Sequence, residues 1–244
     1  MQNDDTPVGH VLTRREALTL LGVSGAAILG YPAGNRRLTG PGTPLPACVV
    51  RPEQTEGPYF VDEMLNRSDI RADPSDGTIK EGMPLALALN VSRISGGTCT
   101  PLAGAQVDIW HCDALGVYSD VTDPGFRTVG QKFLRGYQVT DARGVARFTT
   151  IYPGWYEGRT VHVHFKIRMP HTGGSASEFV SQLYFDDALS NRVFALAPYS
   201  SRGRRTARNS DDDIFRDGGS QLMLAPMPSG SGYAATFDIG VQIG

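Results

Sequence analysis

Val161-His162-Val163-His164-Phe165-Lys166-Ile167 is the stretch on which the fold turns. Side chains two apart on a β-strand share a face. One face here is Val161, Val163, Phe165 and Ile167, apolar and suited to a core; the other carries His162 and His164 side by side. Strand patterns recur outward in both directions. Leu85–Val91 is one, and Ala105–Trp110 alternates, with Val107 and Ile109 opposite Asp108 and Trp110. Residues 136–140 and 146–151 are two more, and the Asp141-Ala142-Arg143-Gly144 quartet between them reads as a hairpin turn. Residues 179–185 and 234–241 complete the set. About seven short strands with Gly-rich turns predict an all-β domain, a sandwich or a barrel. Residues 186–233 read as long, polar and irregular, and their charge runs, Arg202-Gly203-Arg204-Arg205 and Asp211-Asp212-Asp213, as solvated surface.

The whole chain agrees with that reading. Its 244 residues include 29 glycines and 16 prolines, both helix breakers, which argues against an all-helical fold. A hydrophobic fraction of 40% and a charged fraction of 20% exclude a disordered polyelectrolyte or a coiled coil. The 25 acidic against 23 basic residues give a net charge of −2, without the basic excess of a nucleic-acid binder. Near the N-terminus, Arg14-Arg15 precedes a short run of apolar and small residues from Thr19 to Gly30, the pattern of a twin-arginine export signal. That run is shorter than the about 20 apolar residues a membrane span needs. Residues 1–46 are thus expected to be an export signal and Pro/Gly-rich linker, and residues 47–244 one domain, periplasmic or extracellular and without a stable membrane span. An exported chain can form disulfides. Cys48, Cys99 and Cys112 predict one bridge and one free thiol, with three possible pairings.

Two imidazoles on one strand face suit chelation of a single metal ion. A zinc hydrolase would complete the set with His111, Asp113 or Glu157. A ferrous two-His-one-carboxylate site has a carboxylate where this chain has its second histidine. The neighbours of the pair are instead tyrosines: Tyr118, Tyr152 and Tyr156. Phenolate is a hard anionic donor, so tyrosines beside histidines point to a hard, highly charged ion such as Fe(III). A non-enzymatic exported binding module is the remaining alternative.

Five motifs, in order, resemble the intradiol ring-cleavage dioxygenases. They are Thr55-Glu56-Gly57-Pro58-Tyr59-Phe60; the Asp108-Ile109-Trp110-His111-Cys112-Asp113 strand and loop running on to Tyr118; Tyr152-Pro153; Arg159-Thr160-Val161-His162-Val163-His164; and Gln182-Leu183-Tyr184-Phe185. The resemblance spans Pro52 to about Asp217 and implies a single β-sandwich. It implies a non-haem Fe(III) held by Tyr118, Tyr152, His162 and His164, with Tyr156 competing for the second tyrosine position. It implies catalytic roles for Arg159, which cannot lose its proton, for Gln182, and for Tyr152 as a proton acceptor. Trp155 and Tyr59 are expected to wall the aromatic pocket. The activity implied is O2-dependent cleavage of a catechol between its two hydroxyl-bearing carbons, giving a cis,cis-muconate. Catechol, hydroxyquinol, protocatechuate and larger catechols all fit; Arg71, Arg127 and Arg135 are candidates to meet a carboxylated substrate. No dimerising helical segment is evident before Pro52, which leaves the oligomeric state open.

Overall fold

A computed structural model describes residues 49–95, 98–169 and 177–242. The expected export segment and linker, residues 1–46, lie outside the described residues, as does Cys48. The strands are β1 (Pro84–Ser95), β2 (Thr98–Pro101), β3 (Gln106–Trp110), β4 (Thr122–Asp123), β5 (Phe126–Arg127), β6 (Arg135–Val139), β7 (Val145–Ile151), β8 (His162–Arg168), β9 (Glu178–Tyr184), β10 (Met227–Ser229) and β11 (Gly232–Gln242). Two short helices, α1 (Asp187–Phe194) and α2 (Asp213–Arg216), lie between β9 and β10.

Nine of these strands form two stacked sheets, the expected sandwich, and β4 and β5 pair as a separate two-stranded ribbon. In the first, β1 pairs in parallel with β11, which carries β10 on its far side. The other edge of β1 is shared: β7 takes residues 84–90 and β2 residues 92–95, both antiparallel. The second sheet is antiparallel, in the order β6-β3-β8-β9. Leu85, Leu87, Leu89, Phe237 and Ile239 of the first sheet share one buried core with Val107, Ile109, Val163, Phe165 and Ile167 of the second. The period of two on β8 is borne out. Its His face is buried too, however, so every residue from His162 to Ile167 is buried. A second cluster covers that outer face: Trp110, Cys112 and Tyr118, packed with Tyr59, Phe60, Val121, Phe126, Tyr156 and Val180. Lys166 ends beneath it, its Nζ 3.9 Å from the Phe60 ring centroid and paired with Glu56.

Two expectations are corrected. The Asp141–Gly144 turn does not close a hairpin. It carries the chain from one sheet to the other, since β6 pairs with β3 and β7 with β1. Residues 186–233 are not irregular throughout. Asp186 caps α1 by accepting from the Leu189 N–H, and Asp212 caps α2 by accepting from Ile214 and Phe215. Helices this short have too few turns to show a period, and only their caps mark them. Cys99 is disulfide-bonded and Cys112 is free and buried, in keeping with one bridge and one free thiol.

Candidate metal centre

β8 sets the two histidines in place and its neighbours complete the frame. Antiparallel register puts Trp110 on β3 and Gln182 on β9 beside His164, and Tyr184 beside His162. Trp110 stacks on His164, ring centroids 4.9 Å apart and planes within 8°. His162 Nδ1 lies 2.7 Å from the Thr160 carbonyl. A carbonyl only accepts, so Nδ1 carries the proton and Nε2 presents a lone pair.

Tyr118 arrives on a loop that is locked and then docked. Asp113 Oδ1 accepts from the Leu115 and Val117 N–H groups, at 2.9 and 3.0 Å. Gly116 adopts φ +81°, and a Cβ there would lie 2.2 Å from the Trp155 carbonyl oxygen. At Gly154 a Cβ would lie 2.4 Å from the Asp113 carbonyl oxygen. Backbone therefore rests on backbone, and glycine is required on both sides. That contact brings the 152–156 segment against the Tyr118 loop. Buried Arg135 braces the far side, donating from Nε to Ser119 Oγ (2.8 Å) and from Nη1 to the Tyr59 carbonyl (3.1 Å).

The result is a convergence of four side-chain atoms. Within 3.5 Å of His162 Nε2 lie His164 Nε2 at 3.0 Å, Tyr156 Oη at 3.2 Å and Tyr118 Oη at 3.5 Å. Tyr59 closes one side: its ring stacks on Tyr118 at 4.3 Å and its hydroxyl donates to Asp123 Oδ2 at 2.7 Å. The centre is dry. Burial lowers the pKa of His162 to about 3, helped by the positive charge of Arg159, and that of His164 well below the usual range. Burial likewise raises the Tyr118 hydroxyl well above its ordinary value, with Tyr156 adding and Arg159 opposing.

Tyr152, expected as the second tyrosine ligand and a catalytic group, is not at this centre. It is fully buried in the sandwich core, its hydroxyl 2.8 Å from Ser190 Oγ on α1 and its ring 4.4 Å from that of Phe185. The phenol that lies beside the histidine pair is instead that of Tyr156. The bend through Pro153 and Gly154 turns residue 152 inward and carries residue 156 out to the His face.

Arg159 is brought close by Asp212 and Gln182. Its Nε donates to Asp212 Oδ2 (2.9 Å) and its Nη2 to Gln182 Oε1 (2.6 Å). Burial alone would lower its pKa, but Tyr156, Asp212 and Tyr184 together raise it above the ordinary value. Gln182 is itself held, with Nε2 donating to the Thr55 carbonyl at 3.0 Å. Asp212 is 1% exposed, so the Asp211–Asp213 run is not wholly solvated surface. The sequence reading missed it because only its flanking residues are exposed.

Other candidates fall elsewhere. His111 donates from Nδ1 to the Cys112 carbonyl and accepts from Thr150 Oγ1, while Asp113 pairs with Lys80. Glu157 is exposed. None of the three joins the histidine pair, so the zinc set loses its third ligand. Trp155 packs in the main core, with Arg202 over its ring. Arg71 pairs with Asp69, and Arg135 is spent on backbone and Ser119.

Comparison with known proteins identifies the family. Residues 55–202 match the family described as Dioxygenase. The protocatechuate 3,4-dioxygenase beta chain of Burkholderia cepacia is 30% identical over 71% of this chain and 77% of its own length. Catechol 1,2-dioxygenase 1 of Acinetobacter lwoffii is 25% identical over 73% of this chain, which spans 63% of that protein. Among solved structures, an intradiol ring-cleavage dioxygenase from Tetranychus urticae superposes with a TM-score of 0.68 and 31% identity, covering 80% of this chain and 95% of that one. The chain belongs to this family of intradiol ring-cleaving oxidoreductases.

Proposed function

We propose that the chain cleaves a catechol-type ring with O2 at a non-haem Fe(III) held by Tyr118, Tyr156, His162 and His164, giving a cis,cis-muconate. The observation that carries this reading is the convergence of those two phenols and two imidazoles within 3.5 Å of His162 Nε2. The donor chemistry fits a ferric ion. Both histidines are kept neutral by burial, as ligands must be. A phenol as deeply buried as Tyr118 stays protonated unless a cation lies against it, and a bound cation inverts that preference. Two phenolates offset much of a trivalent charge. When bound, the ferric ion supplies the redox chemistry that makes the catechol ring reactive toward O2.

The protein's own residues do the rest. Tyr156 is the least buried of the four, and its Oη can take a proton from an incoming catechol hydroxyl. Arg159 keeps its charge and offsets negative charge building on the aromatic oxygens. Gln182 holds the Nη2 edge of Arg159 in place. Tyr59, Phe60, Val121 and Phe126 give the surroundings an aromatic and aliphatic lining suited to a flat ring. We further propose that residues 1–46 direct export by the twin-arginine route, on the strength of Arg14-Arg15 and the short apolar run. Replacing both arginines by lysine should leave the protein in the cytoplasm, and unaltered export would contradict this. The activity itself is tested by following O2 uptake with a panel of catechols. One O2 consumed per ring-opened muconate supports it; a meta-cleaved product, or none, refutes it.

A further inference from the structure

The segment that supplies Asp212 lies beyond residues 55–202, the part matched by the family. Its carboxylate is nonetheless among the most deeply buried in the molecule, at 1% exposure. Both oxygens are fully used. Oδ1 accepts from the Ile214 and Phe215 N–H groups at 2.9 and 3.1 Å, which caps α2. Oδ2 accepts from Arg159 Nε at 2.9 Å and from the Thr160 N–H at 2.8 Å. Asn209 adds a second tie from the same segment, accepting from Thr160 Oγ1 at 2.6 Å.

We infer that Asp212 is a positioning residue: through Arg159 it fixes the guanidinium that faces the reacting ring, an assignment that rests on the proposed dioxygenase activity. A buried arginine held at one point swings about that point, whereas one held at two has a defined plane. Asp212 holds Nε and Gln182 holds Nη2, on two different elements. Nη1 then has no hydrogen-bond acceptor among the described residues, and is the nitrogen left for an oxygen of the bound aromatic. The bond from Thr160 to Asp212 also steadies the carbonyl that orients His162, so one carboxylate sets the relative position of the cation and the ligand strand.

Asp212→Asn is the discriminating variant. Its amide oxygen can still cap α2, but its NH2 would meet the two donors of Arg159 and Thr160. With the guanidinium displaced, kcat should fall about 100-fold, the size expected for a misplacement of the order of 1 Å. KM for catechol, iron content and the visible band should stay near wild type. In an Arg159→Gln background the same change should cost less than about 3-fold, because two residues acting through one group are not additive. Asp212→Glu keeps the charge and should recover part of the lost rate; it also serves if the Asn variant does not fold. A readout independent of turnover is hydrogen exchange at Arg159 Nε, expected to be at least about tenfold faster once its acceptor is lost. Additive losses, loss of iron with Asp212→Asn, or unchanged exchange at Nε would each overturn the inference. A wild-type chain that cleaves no catechol would instead contradict the proposed activity, and the exchange data would still decide whether Asp212 pins Arg159.

Discussion

Tyr152 and Tyr156 stand four residues apart on one bend and end in opposite environments. Tyr152 points into the sandwich core, where Phe185, Phe194 and Ser190 enclose it. Tyr156 points out to the His face of β8, 3.2 Å from His162 Nε2. The same division runs through β8, whose Val163, Phe165 and Ile167 fill the core while His162 and His164 face the second, aromatic cluster. The inner side holds the fold together by burying apolar area. The outer side is also covered, though less completely, and its polar atoms are gathered on one point. Burial on the inner side stabilises the fold; on the outer side it holds the imidazoles neutral and the Tyr118 phenol protonated.

The two sides should respond differently to mutation. The largest effect is expected on the outer side. His162→Ala or His164→Ala should abolish metal binding and lower kcat/KM by more than the roughly 100-fold that loss of a ligand's outer partner costs. Metal analysis and O2 uptake would show it, and full activity in either variant would break the division. On the inner side, Phe165→Ala should cost about 3–5 kcal/mol in urea unfolding, as a large deletion from a closed core. A loss under about 1 kcal/mol there would show that the sheets repack freely.

A third test compares histidines. His111 bridges inward to Thr150 on β7, and burial lowers its pKa from 6.5 to about 4. Between those values the unfolded chain binds a proton that the folded chain does not. Its contribution to stability is therefore complete above pH 6.5 and is lost as pH falls toward 4, a change of roughly 3 kcal/mol. Urea unfolding at pH 7 and pH 4 should show this fall, and His111→Gln should remove that part of it. The smallest expected effect is Tyr152→Phe. Losing its bond to Ser190 should cost about 1 kcal/mol, measurable as a small drop in unfolding midpoint, with turnover unchanged.

Where the sequence was readable, periodicity or spacing carried the information. The alternation on β8 defined both its core face and its histidine pair, and the five ordered motifs were enough to reach the family. The choice between two tyrosines was different. A bend has no period, and which side each ring takes depends on Gly154 lying flat against the Asp113 carbonyl, a contact between residues 41 apart in sequence. Asp212 was hidden for the same reason. An aspartate flanked by aspartates looks solvated until the fold lays its segment against Arg159. The Asp141–Gly144 quartet reads plainly as a turn, but whether a turn closes a hairpin or changes sheet depends on partners that β1 and β3 supply.

The most direct test of the account is the iron content and visible spectrum of wild-type protein beside Tyr152→Phe and Tyr156→Phe. The account predicts about one iron per wild-type chain and a tyrosinate-to-iron band that Tyr152→Phe leaves unchanged and Tyr156→Phe shifts and weakens. A band that survives in Tyr156→Phe but is lost in Tyr152→Phe would contradict it, as would a colourless wild-type protein carrying stoichiometric zinc.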